Sequence, residues 1–250
     1  MGPGLALAWQ SRPQQLLSAT SLGEKVNHVP TSEEFDVLLL SLRVAAVGTV
    51  IGLPLGLLIA WALAKTSMPG KVLLDTLVSF PLVLPPVVTG YALLLLLGRN
   101  GPLGGLQDDL GIEILFTWFA AALAAGLVSL PLMVRSMEVA MGAVDPRLEL
   151  AARSLGANRW KVFTTVTVPL AFRGILAGVV LAFARGMGEF GATIIVAGNI
   201  PGHTQTLPLA IFTNLQVGDD DAAVRFIVFS LAVALAALLA HRWMLKRAVV

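Results

Sequence analysis

The sequence predicts an all-α integral membrane protein, a bundle of about five transmembrane helices with one helix-loop-helix on the cytoplasmic side. Three observations lead to this prediction. The chain is far more apolar than a soluble domain, and it contains five apolar runs long enough to cross a bilayer. In addition, one polar and basic segment, residues 145–169, separates the third run from the fourth.

Composition sets the class of protein. Of the 250 residues, 56% are hydrophobic and 13% are charged, and the mean hydropathy is +0.83, whereas about 25% of residues are charged in soluble domains. The net charge is only +2 and no basic run is interleaved with aromatic residues, so nucleic acid is not an expected partner. The absence of cysteine excludes disulfides, thiol nucleophiles and cysteine-ligated metals.

Five apolar runs reach the length of about 20 residues that a helix needs to cross about 30 Å of hydrocarbon. They lie at residues 37–64, 73–98, 114–134, 174–198 and 224–244. Only helices satisfy their own backbone hydrogen bonds in such segments, so each run is predicted to be helical. Residues 1–35 are expected to form an irregular extracytoplasmic arm, and residues 36–245 to form one membrane domain.

The Lys and Arg residues predict the orientation, because cytoplasmic loops carry an excess of them. Four lie at one set of run ends, two lie inside the runs, and eleven lie at the other set of ends. These eleven are Lys65, Lys71, Arg135, Arg147, Arg153, Arg159, Lys161, Arg173, Arg242, Lys246 and Arg247. We therefore expect a multi-pass protein of the cytoplasmic (inner) membrane, in contact with lipid, with its N-terminus outside and its C-terminus and segment 145–169 in the cytoplasm.

The first run carries three glycines at intervals of four residues, Gly48, Gly52 and Gly56. This spacing places them on one stripe of a helix, where another helix can approach closely. Packing inside one bundle and contact with a second subunit both fit the pattern.

The second run is predicted to be broken within the membrane. Pro81, Pro85 and Pro86 interrupt it, and each removes a backbone donor and crowds the preceding turn. The carbonyl groups freed at that depth are tolerated only against protein or beside a water-filled path. A transport path and simple packing are both compatible with such a break.

Few ionisable residues lie inside the runs. Arg185 and Glu189 are four residues apart on the fourth run, where they can pair on one helix face. Such residues usually face the bundle interior or a water-lined cavity, but an ion pair that only fixes the rotation of the helix explains them equally well. Arg43, near the outer end of its helix, is expected to snorkel. Small and neutral residues complete a candidate translocation path with this pair: Pro85, Pro86, Thr89, Gly90, Gly191 and Thr193.

The sequence offers no enzyme signature. The three histidines, His28, His203 and His241, form no HExxH pattern, and neither GxSxG nor GxxxxGK[ST] occurs. We therefore expect no catalytic residue, no metal site and no bound cofactor in this chain. If nucleotide is used, another chain must bind it.

Segment 145–169 carries the signals of two short helices. Asp145 is a suitable N-cap, and Gly156 is suited to end the first helix in the left-handed conformation. Asn158 can begin a second helix, and Pro169 is expected to break that helix before the fourth run.

The surface of this helix-loop-helix is suited to a partner. Ala151 and Ala152 belong to a small apolar face, Glu149 lies in the first turn, where the helix dipole favours an anion, and Trp160 lies on the second helix. Two short helices at a fixed angle suit docking into a groove of a rigid partner. A linker that lies on lipid headgroups is the alternative.

Several of these residues resemble a known motif. Glu149, Ala151, Ala152 and Gly156, followed by residues 166–169, resemble the EAA motif of ABC importer permeases, although Leu150 stands between the acid and the alanine pair. Further stretches are similar to the molybdate permeases, a family related to the sulfate permeases. They lie at residues 68–75, 81–90, 188–193 and 197–208, and the resemblance covers roughly residues 36–245.

The resemblance implies the permease subunit of an ATP-driven importer for an oxyanion, with molybdate as the expected substrate and sulfate or tungstate as alternatives. It implies a homodimer, ATPase subunits that use ATP, and an extracytoplasmic oxyanion-binding protein. The residues expected to couple the permease to the ATPase are Glu149, Ala151, Ala152, Gly156, Trp160 and Pro169. A stand-alone secondary transporter is less favoured, because five runs do not divide into two related halves.

Overall fold

The structure, a computed structural model, describes residues 32–111 and 113–246. Its helices are α1 (Ser32–Lys65), α2 (Lys71–Val83), α3 (Pro86–Leu97), α4 (Gly104–Leu110), α5 (Trp118–Gly142), α6 (Pro146–Ser154), α7 (Arg159–Val162), α8 (Val168–Met187), α9 (Gly191–Val196), α10 (Leu207–Val217) and α11 (Asp220–Lys246). A π-helical turn, Phe163–Thr167, joins α7 to α8. The described part of the chain contains helices and no strand, so the predicted all-α membrane fold is confirmed.

Four helical segments are long and apolar enough to cross a membrane: α1, α5, the continuous segment from α7 to α8, and α11. Helices α2 and α3 together form a fifth span if the bent pair is counted as one. This set corresponds to the five runs predicted from the sequence, while α10 is an apolar helix too short to span.

Helix α5 lies at the centre of the bundle, and α1 packs directly on it. Alanines dominate the first half of α5, and Ala120, Ala121, Ala122, Ala124 and Ala125 are all buried. A Cβ atom on Gly48 would lie 2.9 Å from the backbone nitrogen of Gly126, so the two helix backbones touch at this point. Further along the stripe, Gly52 and Gly56 face the side chain of Met133. All three glycines of the stripe thus lie against α5 of the same chain.

The second run is broken where its prolines predicted a break. Helix α2 ends at Val83, Leu84 is extended, Pro85 precedes α3, and the two helix axes differ by 113°. Pro86, which has no backbone N–H, occupies the first turn of α3, where backbone N–H groups have no partner within the helix. The proline therefore costs this helix no hydrogen bond.

The fourth run does not remain helical to residue 198 as the sequence predicted. Helix α8 ends at Met187, and the short helix α9 follows after a break. The Glu189 carboxylate accepts a hydrogen bond from the backbone N–H of Ala192 at 2.8 Å and so satisfies a free donor in the first turn of α9. This hydrogen bond stabilises a new helix start at α9 in place of a longer α8. A pattern of apolar residues does not reveal such a competition.

The expectation that Pro169 breaks the helix is wrong. Helical structure runs without interruption from Arg159 to Met187 and passes through Pro169. The π turn makes this possible: the N–H of Val168 bonds to the carbonyl of Phe163, five residues back. The wider turn just before the proline accommodates a position that cannot donate a backbone hydrogen bond.

At its other end, the first helix begins earlier than expected. Residues 1–31 of the predicted arm lie outside the described residues, but residues 32–35 belong to α1. Buried Glu34, in the first turn of α1, forms an ion pair with Arg225, in the second turn of α11, at 2.7 Å. The Arg43 guanidinium lies over the ring of Trp118, 3.7 Å from its centroid.

Substituting Gly48 by alanine is expected to destabilise the bundle, because the added Cβ collides with the backbone of α5. Overpacking of this kind costs about 1–3 kcal/mol, so the thermal unfolding midpoint in detergent should fall. Gly142→Ala is the matched control, since nothing lies within 4 Å of its added Cβ. Equal midpoints for the two variants would contradict the backbone contact.

Candidate functional site

Segment 145–169 folds as a helix, a loop and a second helix. The Asp145 carboxylate accepts a hydrogen bond from the N–H of Arg147 at 2.9 Å at the start of α6. Gly156 follows α6 with φ of +88°, a left-handed conformation that glycine adopts without strain. The Asn158 side chain then accepts a hydrogen bond from the N–H of Lys161 at 2.8 Å at the start of α7. Local capping therefore determines where each helix begins and ends.

Helix α6 has no buried residue, so most of its surface is open to a partner. Ala151 is exposed and Ala152 is half-buried, and large apolar side chains beside them are exposed as well. These exposed side chains are Leu148, Leu150, Leu155 and Trp160. Leu155 extends furthest, with 89% of its surface exposed. Exposed apolar side chains on a charged element mark an interaction surface.

Glu149 points the other way, into the subunit. Its Oε1 atom lies 3.2 Å from Nζ of Lys65, the last residue of α1, and accepts a hydrogen bond from the Thr167 hydroxyl at 2.8 Å. Nζ of Lys65 also donates to the carbonyl of Val144 at 2.9 Å. The side chains of Lys65 and Glu149 are only 11% and 18% exposed. These contacts connect α6 to α1 and to the π turn.

An aromatic cluster connects the second helix to α1 in the same region. The ring of Trp61 lies 6.4 Å from that of Trp160 and 5.2 Å from that of Phe163, measured between centroids. Trp160 and Phe163 also contact each other. Trp160 thus packs partly inward, although more than half of its surface is exposed. Pro169 lies nearby on the exposed side of the continuous helix.

Deeper in the bundle, the broken second and fourth runs meet. A Cβ on Gly90 of α3 would lie 2.8 Å from Cα of Ala192, and a Cβ on Gly191 of α9 would lie 2.9 Å from Cβ of Pro86. The two short helices therefore touch through their glycines. The hydroxyls of Thr89 and Thr193 on these helices are buried and have no hydrogen-bond partner among the described residues.

The ion pair of the fourth run is present in the structure. Arg185 and Glu189 lie 2.8 Å apart, with Glu189 side-chain exposure of 1% and Arg185 exposure of 30%. One oxygen of Glu189 binds Arg185 and the other caps α9, so both oxygens are occupied. The pair thus lies at the junction between the end of α8 and the start of α9, the short helix that contacts α3.

A comparison with known proteins assigns the family. Residues 52–248 match the family described as the inner membrane component of binding-protein-dependent transport systems. The chain belongs to this family. It is 48% identical over 218 residues to the molybdenum transport system permease protein ModB of Escherichia coli K12, which covers 86% of this chain and 95% of that protein. It is 39% identical over 189 residues to the sulfate transport system permease CysT of the same organism, covering 76% of this chain and 67% of CysT.

The solved structures agree on the fold. A bacterial ABC transporter that imports the acidic polysaccharide alginate matches with a TM-score of 0.68 at 15% identity, covering 98% of this chain and 92% of the matched chain. The chain is therefore a multi-pass permease subunit of the inner membrane and not an enzyme. Among residues 32–111 and 113–246, no group of three or more His, Cys, Asp or Glu is placed to hold a metal ion.

Sequence reasoning missed the partners of Glu149. The sequence indicates only a topological role for Lys65 and no role for Trp61 or Thr167. One signal was available, since Trp61 and Lys65 lie four residues apart and so share a face at the end of the first run. A second ion pair was also missed: Arg135 of α5 binds Asp75 of α2 at 2.7 Å, next to Glu138.

Replacing Glu189 alone should destabilise the subunit more than replacing the whole ion pair. Glu189→Met leaves the Arg185 charge without its partner, and loss of one partner of a buried pair costs about 3–5 kcal/mol. The double variant Arg185→Met/Glu189→Met carries no such charge and should recover part of the loss. Both variants lose the cap on Ala192, so their difference in thermal unfolding midpoint reports the charge. A double variant no more stable than the single one would contradict this account.

Proposed function

We propose that this chain is the translocating subunit of an ATP-driven molybdate importer. The observation that supports it most directly is the 48% identity, over nearly the full length of both chains, to a molybdenum transport permease. The lower identity to a sulfate permease favours molybdate, while sulfate and tungstate remain the competing substrates.

The proposed assembly contains two copies of this chain, ATPase subunits and an extracytoplasmic oxyanion-binding protein. The exposed apolar side chains of α2 and α3, which include Val72, Leu73, Val83 and Tyr91, are a surface that a second copy can cover. ATP is bound by the ATPase subunits, and this chain holds no cofactor. The excess of Lys and Arg at one membrane side supports an external N-terminus and a cytoplasmic C-terminus.

In this proposal, the exposed face of segment 145–169 docks on the ATPase. Ala151, Ala152, Gly156 and the side chains of Leu155 and Trp160 supply the contact. The small alanine face and the left-handed stop at Gly156 allow close approach of a groove on the partner. Closure of two ATPase subunits then moves the two docked segments as rigid bodies and rocks the helices attached to them.

The proposed path follows the contact between α3 and α9. Thr89 and Thr193 supply buried hydroxyls that have no partner among the described residues. Pro85 and Pro86 lie at the break before α3, and Gly90 and Gly191 let α3 and α9 approach closely. The charge of Arg185 is already paired with Glu189. Among the described residues, this contact offers neutral hydrogen-bonding groups and no unpaired cation, so it should bind a doubly charged oxyanion weakly, which suits passage.

The substrate assignment is tested with the permease, its ATPase and its binding protein assembled in proteoliposomes. ATP hydrolysis and oxyanion uptake should rise when the binding protein carries molybdate and should rise less with sulfate. Stronger stimulation by sulfate would assign the competing substrate. Uptake by the permease without the ATPase would support a secondary transporter instead.

The docking surface is tested in the same assembly with Leu155→Asp. A carboxylate buried at the interface without a partner costs more than the roughly 1.4 kcal/mol that corresponds to tenfold, so uptake should fall by about tenfold or more. Val217→Asp is a matched control, because Val217 is also highly exposed but lies at the end of α10, away from segment 145–169. Equal uptake by the two variants would exclude this surface.

The path is tested by cysteine labelling, which a naturally cysteine-free chain permits. Thr89→Cys and Thr193→Cys should react with a small aqueous thiol reagent in one nucleotide state of the assembly and be protected in another. Ala122→Cys, buried between α1 and α5, is the control that should stay protected throughout. Protection of all three positions in every state would show that α3 and α9 only pack.

A further inference from the structure

We infer that Glu149 acts inside the subunit, as a positioning residue that fastens the helix-loop-helix to the last turns of α1, and not as a contact for the ATPase. The inference deepens the proposed function, since it rests on segment 145–169 being the element that docks. It concerns how a displacement of that element reaches the membrane helices.

The first argument is the direction and occupancy of the Glu149 carboxylate. Its Oε1 atom is held by two donors, Lys65 at 3.2 Å and Thr167 at 2.8 Å. Both contacts hold the carboxylate against α1 and the π turn, and only 18% of the side chain is exposed. Turning it outward would leave Lys65, which is only 11% exposed, without its counter-ion. Leaving a buried charge unpaired is unfavourable, so the inward position is the stable one.

The second argument is that Lys65 binds the start of α6 at two points. Besides the Glu149 carboxylate, its ammonium donates to the carbonyl of Val144, which precedes the N-cap Asp145. A single side chain on α1 thereby restrains both the entry into α6 and the first turn of the helix. The positive-inside rule requires only a cation on the cytoplasmic side, so it accounts for neither of these two bonds.

The third argument is that a second, apolar contact lies one turn earlier on α1. Trp61 packs against Trp160 of α7 and Phe163 of the π turn. Trp61 and Lys65 share one face of α1, so that face holds both helices of the segment. We call this set of contacts, formed by Trp61, Lys65, Glu149, Trp160, Phe163 and Thr167, the α1 clamp.

The α1 clamp has a mechanical consequence. Helix α1 is in backbone contact with α5 at Gly48, so a push on α6 and α7 passes through α1 to the central helix. Charge-assisted hydrogen bonds and aromatic packing resist displacement in different directions, which makes the connection stiff. Loss of the polar part should loosen the connection without removing the exposed surface that docks.

The test uses the assembled importer and two readouts: the amount of ATPase that copurifies, and the oxyanion taken up per ATP hydrolysed. Glu149→Gln should retain the ATPase but lower uptake per ATP by about tenfold, the effect of losing one charge-assisted hydrogen bond. Lys65→Met should also retain the ATPase and lower uptake per ATP by at least as much, because it loses the bond to Val144 as well. The double variant should be little worse than Lys65→Met alone, because Lys65→Met already removes the ion pair that Glu149→Gln weakens. Lys71→Met is the control and should behave as wild type, because Lys71, the first residue of α2, forms no ion pair with another described residue.

The charge exchange Lys65→Glu/Glu149→Lys distinguishes positioning from a general loss of folding. It restores the opposite charges, so it should recover uptake per ATP relative to either single charge reversal. Thr167→Val removes only the hydroxyl donor and should give a smaller defect of the same kind. Each variant is used only where its size-exclusion profile matches that of wild type.

Two results would overturn the inference. If Glu149→Gln releases the ATPase while Lys65→Met retains it, Glu149 is a direct contact. If the Glu149 and Lys65 variants all couple normally, the α1 clamp has no role in coupling. In the latter case, the Leu155→Asp variant tests the proposed function separately. If it lowers uptake, the docking surface is supported and only the α1 clamp is rejected.

Discussion

The backbone contact between α1 and α5 is the interaction on which the rest of the subunit depends. Gly48 and Gly126 let the two helices touch without side chains between them, and the alanines of α5 keep the surroundings equally small. In a bilayer, lipid is as apolar as the protein interior, so close van der Waals packing replaces the hydrophobic effect as the reason for helices to associate. This contact also sets the position of Trp61 and Lys65 at the other end of α1, and through them the position of segment 145–169.

A second constraint, that backbone polar groups must be satisfied within the membrane, explains why the broken helices occur together. The break before α3 and the break before α9 lie against each other, with Gly90 near Ala192 and Gly191 near Pro86. Glu189 satisfies a free N–H of α9 and at the same time neutralises Arg185. Irregular backbone is thus placed where protein groups surround it, and the hydroxyls of Thr89 and Thr193 are left as the polar groups at this contact.

The features that sequence alone could predict are those determined by neighbouring residues. Apolar run length predicts the spans, Pro85 and Pro86 predict the bend of the second run, and the pattern of Asp145, Gly156 and Asn158 predicts two capped helices. The features that the sequence did not predict depend on competition between alternative backbone hydrogen bonds or on contacts between residues far apart in sequence. Glu189 ends the fourth run because its carboxylate offers α9 a cap, and Pro169 fails to break its helix because the π turn before it adapts. The bond between Lys65 and Glu149 joins residues far apart in sequence, so no local pattern reveals it.

The same distinction separates the two roles of segment 145–169. Its exposed face is a local property of a short amphipathic helix, and it is the part that a motif describes well. Its attachment is a tertiary property, and it decides what a movement of that face can accomplish. A docking helix held only by its flanking loops would tilt under load, and the displacement would be lost before it reached the bilayer. Segment 145–169 is held at two successive turns of α1, and α1 is in backbone contact with α5. In the proposed assembly, a displacement of the segment would therefore reach the central helix. In the proposed assembly, coupling would therefore depend as much on the inward side of the segment as on the side proposed to meet the ATPase.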